Sequence, residues 1–138
     1  ARDAFEGAYT LNQELGNRRA AAEALAGLVQ VDALQGAPDQ ALTRASELFA
    51  YLEQDPDLSG AQRPLRVYMA CFQALRAAGD ARAEAILERA YWLLMARAAR
   101  IQDENARRSF LQNIPTHREV TQAFQRSSKQ PLNPHRPG

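Results

Sequence analysis

The stretch from Ala22 to Leu52 constrains this chain more than any other, because it sets two apolar stripes of helical period on either side of one glycine. Ala22, Leu25, Leu28, Val29 and Val31 fall at mostly helical spacing, Gly36 stops the run, and Ala37-Pro38-Asp39 start another. In the second run Ala41, Leu42, Ala45, Leu48, Phe49 and Leu52 recur at three- and four-residue steps. A helix with one such stripe must bury it against neighbours. The fold class expected from this is all-α, built from hinged helix pairs.

The rest of the chain keeps the habit. Residues 1–15 read as an amphipathic helix with Ala1, Ala4, Phe5, Ala8, Leu11 and Leu15 toward one side, ending at Gly16-Asn17. Ala1 lies inside that helix without a capping residue, which predicts a fragment of a longer chain. Glu53 to Ser59 is polar, contains Pro56 and reads as a loop. The next helix starts either at a capping box of Ser59 with Gln62 or at Pro64 in a first turn, and the spacing leaves both open. It runs through Leu65, Tyr68, Cys71, Phe72 and Leu75 to Gly79, where Asp80 can cap a helix carrying Ala83, Ile86, Leu87, Ala90, Leu93 and Leu94. Asp103 opens a short helix with Phe110, Leu111 and Ile114 that Pro115 ends, and Thr116 with Glu119 fits a capping box for a last short helix holding Val120 and Phe124. Residues 1–126 are thus expected to form one helical domain with capping helices at about 103–126, and residues 127–138, with the proline-rich Gln130 to Gly138, an extended or disordered tail.

Internal repetition is visible at a long period. Gly36 and Gly79 each end a helix and lie 43 residues apart. Ala1-x3-Phe5-x2-Ala8, Ala41-x3-Ala45-x2-Leu48 and Ala83-x3-Leu87-x2-Ala90 share one spacing. The first matches the alanine, aromatic, alanine spacing in the second helix of a tetratricopeptide repeat. On these residues, over residues 1–101, the chain resembles the tetratricopeptide-repeat (TPR) family, with a period longer than the usual ~34 residues. Leu25-x2-Leu28-Val29-x2-Asp32 and Tyr68-x2-Cys71-Phe72-x2-Leu75 stand where the family has Trp-x2-Leu-Gly-x2-Tyr, and Pro56 is a late counterpart of its closing proline. The run from Leu65 to Phe124, with LRAAGD, ARAARIQDENARRSFLQNIP and THREV, looks like the carboxy-terminal repeats of large bacterial regulators, in which an ATPase or cyclase module precedes a helical array.

The resemblance implies a right-handed TPR-like superhelix of helical hairpins, an α-α solenoid closed by carboxy-terminal capping helices, acting as a protein–protein interaction scaffold within a larger regulator. In such folds the first helix of each pair builds a concave wall that meets a protein or peptide partner. The side chains it would present here are Glu23, Gln30, Arg66, Met69, Gln73 and Arg76. Arginines would fix carboxylates, and the glutamines would hydrogen-bond extended backbone. Two alternatives stand beside this reading: a small-molecule sensor array coupled to an upstream ATPase module, and a nucleic-acid-binding helical repeat.

Chemistry is sparse. His117 and His135 are isolated, and no His/Cys cluster has ligand spacing, so no metal is expected. The only lysine, Lys129, follows no glycine-rich loop, so no nucleotide cofactor is expected either. Glu84 and Glu88, one turn apart, read as a solvated face. No catalytic residue emerges, and the chain is not expected to be an enzyme. Cys71 is the only cysteine and lies on an apolar face, which points to a small core residue and a reducing, cytoplasmic setting. The longest apolar run, Ala90 to Ala96, is far too short to span a bilayer, so no membrane partner is expected.

Net charge is +1, but its distribution is uneven. Residues 1–96 carry 9 basic and 13 acidic side chains, residues 97–138 carry 8 and 3. Arg97, Arg100, Arg107 and Arg108 either dock an acidic partner or nucleic acid, or form a solvated cap whose arginine stems cover apolar surface. The second is the plainer reading, and the acidic first two thirds argue against a nucleic-acid surface. Tyr91 and Trp92, just before the cap, read as packing rather than as a ligand platform.

Overall fold

Local hydrogen bonding sets where each helix begins and ends. The computed structural model describes residues 2–58 and 60–129, and among them the chain forms seven helices and no strand. They are α1 (Arg2–Glu14), α2 (Arg18–Leu34), α3 (Pro38–Gln54), α4 (Pro64–Ala77), α5 (Arg82–Ala99), α6 (Glu104–Gln112) and α7 (Pro115–Lys129). The α2–α3 and α4–α5 turns close in the same way. Gly36 and Gly79 take φ of 71° and 69°, which a Cβ would penalise, and the next residues return their amides to carbonyls five back, Ala37 to Asp32 at 2.8 Å and Asp80 to Leu75 at 2.9 Å.

Helix starts use two devices. Asn17 Oδ1 accepts from Ala20 N at 3.2 Å and Asp103 Oδ2 from Ala106 N at 2.8 Å. Pro38, Pro64 and Pro115 instead occupy the first helical position, where a missing N–H costs nothing. Pro64 thereby decides the start left open between Ser59 and Pro64. Pro115 opens α7 rather than merely ending α6, so Thr116 lies inside the helix and Glu119 accepts from Gln73 Nε2 at 2.8 Å instead of closing a capping box. Two further boundaries differ from the sequence reading. Helix α2 begins at Arg18, ahead of the apolar stripe, because Asn17 caps it, and α7 continues through residues 127–129 of the expected tail. Residues 130–138, and Ala1 of the first helix, lie outside the described residues.

Helix α2 packs against α1, α3 and α4, and is buried almost all round, at Ala21, Ala22, Ala24, Leu25, Ala26, Leu28 and Val29. Helix α4 meets α2, α3, α5 and α7. The core runs through Leu25, Leu28, Leu48, Leu52, Tyr68, Leu75, Ile86 and Leu94, and Val120 of α7 closes its end. Gly27 allows α1 to approach closely: an added Cβ there would stand 2.6 and 2.7 Å from two ring carbons of Phe5. The loop after α3 is less polar in effect than in composition. Leu58, at φ 47°, is buried, and the Tyr68 hydroxyl donates to the Pro56 carbonyl. Among the described residues no helix is long and apolar enough to cross a membrane.

Candidate functional site

The side-by-side packing of α2 and α4 leaves a groove of about 320 Å³ on one surface of the molecule. Alanines make its floor and walls, with Ala33, Ala41, Ala70, Ala74 and Ala77 among them, so a bound chain can come close to both helices. Gln30 and Gln73 stand on opposite helices along it. The amide nitrogen of Gln73 is held by Glu119 of α7, which leaves its oxygen as the free acceptor.

Of the six side chains expected on a partner-binding wall, the fold brings only these two together. Met69 is buried in the core at 3% exposure and cannot meet a partner, because α4 has neighbours on nearly every side. Glu23 is exposed and pairs with Arg19 at 3.7 Å, one turn away. Arg76 lies over the Phe72 ring at 4.9 Å. Arg66 opens onto a different cavity.

That second cavity, of about 630 Å³, lies where the first turns of α4 and α7 face the second half of α5. Arg63, Arg66, Arg97 and His117 line it, and among the described residues no carboxylate does. His117 Nδ1–H donates to the Phe110 carbonyl at 2.8 Å, which leaves Nε2 as the unbound ring nitrogen. The neighbouring arginines are engaged differently. Arg107 donates to the Ile101 and Gln102 carbonyls just past α5, and Arg108 pairs with Glu104, so of the basic cluster seen in sequence these two serve the local fold.

Asp32 was not singled out as a functional candidate in sequence, where it stands at a position of the helix pattern. It is fully buried, with Oδ1 2.7 Å from Arg2 Nη2 and Oδ2 3.5 Å from Arg44 Nε. Three helices therefore meet on one carboxylate. Tyr91 stacks on Phe124 of α7 with centroids 3.8 Å apart, as expected of packing, whereas Trp92 remains 59% exposed.

Titration behaviour marks structural groups. Burial pushes the Cys71 thiol up to about 12, and the thiol donates to the Ala45 carbonyl. Burial likewise raises Tyr68 to about 12, and burial with a hydrogen bond to Glu47 raises Tyr9. Hydrogen bonds from the Arg82 side chain and backbone hold Asp80 down at about 2. The cap expected at Asp80 is displaced by one residue: Ala81 is the capping position of α5 and makes no side-chain capping bond, while Asp80 accepts from the first helical amide, that of Arg82, at 2.9 Å. Among the described residues no three His, Cys, Asp or Glu side chains come close enough to share a metal ion. In comparison with known proteins, no family model, no curated protein and no solved structure matches the chain significantly.

Proposed function

We propose that the chain is a TPR-like helical repeat that binds a peptide segment of a protein partner in the groove between α2 and α4, as an interaction segment of a larger bacterial regulator. In this reading α2/α3 and α4/α5 are successive hairpins of a right-handed superhelix, and α6 and α7 cap it. The observation that carries it is the groove itself, bounded by the first helices of both pairs, floored by alanine and flanked by Gln30 and Gln73. Small floor residues let a partner's main chain approach, and the two amides supply the hydrogen bonds that an extended backbone needs. The resemblance to the TPR family and the matching closure of the α2–α3 and α4–α5 turns support the repeat assignment.

The test fills the groove without touching the core. Ala33 and Ala77 line it and are exposed, so Ala33→Arg/Ala77→Arg should leave the helical circular dichroism spectrum unchanged. The wild-type chain, used as bait in lysate of the source organism, should retain a partner that the double variant loses. Retention of the same partner by both proteins places binding elsewhere and ends this reading.

A further inference from the structure

We propose that the cavity framed by α4, α5 and the α6–α7 turn binds a small organic oxyanion, a phosphate or carboxylate head on an apolar body. Its volume of about 630 Å³ is that of a small-molecule site. Three guanidinium groups reach it from separate places in the sequence, Arg63 and Arg66 at the start of α4 and Arg97 near the end of α5. Among the described residues none of the three has an ion-pair partner, whereas Arg2, Arg19, Arg44, Arg82, Arg89 and Arg108, half of the other described arginines, do. Like charges gathered without a counter-charge repel one another, and an oxyanion that accepts from two of them removes that repulsion and uses the planar fork of arginine.

Helix polarity adds to the same field. The cavity wall includes Pro64 and Pro115, the first residues of α4 and α7, so the positive ends of both helices face it and the first-turn amides of Thr116 and His117 have no intrahelical acceptor. The non-polar part of the wall selects the rest of the ligand. Leu65, Phe110 and Ile114 line the cavity, and Ile114 is 40% exposed, an apolar surface that a fully hydrated inorganic ion would leave uncovered. An aromatic or short aliphatic body on a charged head satisfies both halves. The site shares no residue with the α2–α4 groove and stands or falls independently of it.

Isothermal titration calorimetry of the whole chain with phenyl phosphate, benzoate, inorganic phosphate and benzyl alcohol tests this. Phenyl phosphate or benzoate should saturate one site, the tighter of the two identifying the head group, while benzyl alcohol should not bind. Arg66→Gln/Arg97→Gln should weaken that binding by about tenfold or more, as expected for loss of charged hydrogen bonds. A remote pair carrying the same charge change, Arg18→Gln/Arg76→Gln, neither of which lines the cavity, should leave it within about twofold, since Arg76 stands ten residues, about 15 Å, along α4 from Arg66 and exposed charges beyond a Debye length are screened. Ile114→Gln should weaken phenyl phosphate but not inorganic phosphate. If the first pair loses its helical circular dichroism signal, the exposed Arg63→Gln takes its place. Absence of saturable binding of both aromatic anions, equal loss in the remote pair, or full affinity in the cavity variants each overturns the proposal. So does binding of an acidic peptide alone, which would make the patch a protein surface.

Discussion

Replacing Asp32 by asparagine isolates the cost of removing one buried charge from between two others. The side chain has no exposure, and it is the carboxylate facing both Arg2 and Arg44. Arg2 Nε and Arg44 Nη1 are already buried without acceptors, and once the carboxylate is neutral the compensation left to Arg44 is its longer contact with Glu6, at 3.9 Å. Asparagine keeps the volume, which removes any cavity contribution. It can still accept from Arg2, but as an amide it no longer neutralises either guanidinium. Breaking a buried pair from one side costs about 3–5 kcal/mol. Arg2 and Arg44 retain side-chain exposures of 31% and 23%, so both can partly hydrate, and the expected loss falls to about 2–4 kcal/mol. With a urea dependence of about 2 kcal/mol per M, the midpoint drops by about 1–2 M, read by circular dichroism at constant slope. A midpoint within about 0.3 M of wild type refutes the reasoning, since the carboxylate would then hold nothing that an amide cannot. Arg2→Met/Asp32→Leu/Arg44→Met should recover most of the loss, because apolar side chains of similar volume need no partner.

Gly27→Ala gains about 1 kcal/mol of helix propensity, but it drives a Cβ into Phe5 at a cost of about 1–3 kcal/mol, so net destabilisation is expected in the same titration and Phe5→Leu should relieve it. Cys71 should resist a thiol reagent at neutral pH and react only on unfolding, since burial lifts its pKa to about 12; rapid labelling of the native chain would contradict its core placement. Asp80 titrates near 2 in the folded chain against an ordinary value of about 3.9. Its folded pKa is the lower one, so its contribution is present above pH ~4 and is lost as pH falls toward 2, and Asp80→Asn should flatten that part of an acid-unfolding curve. Tyr91→Ala should cost well over 1 kcal/mol through the lost Phe124 stack, and Trp92→Ala should stay within about 0.5 kcal/mol, the separation expected of a packed and an exposed ring.

The helical class, the two glycine-hinged pairs and the Asp103 cap were legible in the chain as written. Each depends on groups within about five residues of one another: a positive φ at glycine, an amide without an acceptor, an apolar stripe at helical period. Proline could be located but not interpreted so simply. The same missing N–H that ends one helix makes Pro115 a favourable first residue for the next, and only the path of the chain chooses between them.

What the tertiary structure alone decided is which polar and apolar groups each packed face takes in. Met69 and Gln73 lie one turn apart on α4, yet one is core and the other meets Glu119, because neighbours surround that helix unevenly. Asp32 became a buried junction only when Arg2 and Arg44 arrived from the flanking helices. Arg63 and Arg66 belong to the acidic part of the sequence, and Arg97 opens the basic part, yet they line one cavity. Periodicity states that a face will be covered. The partner that covers it is set by contacts tens of residues apart, where charge and burial are properties of the assembled helices rather than of any one of them.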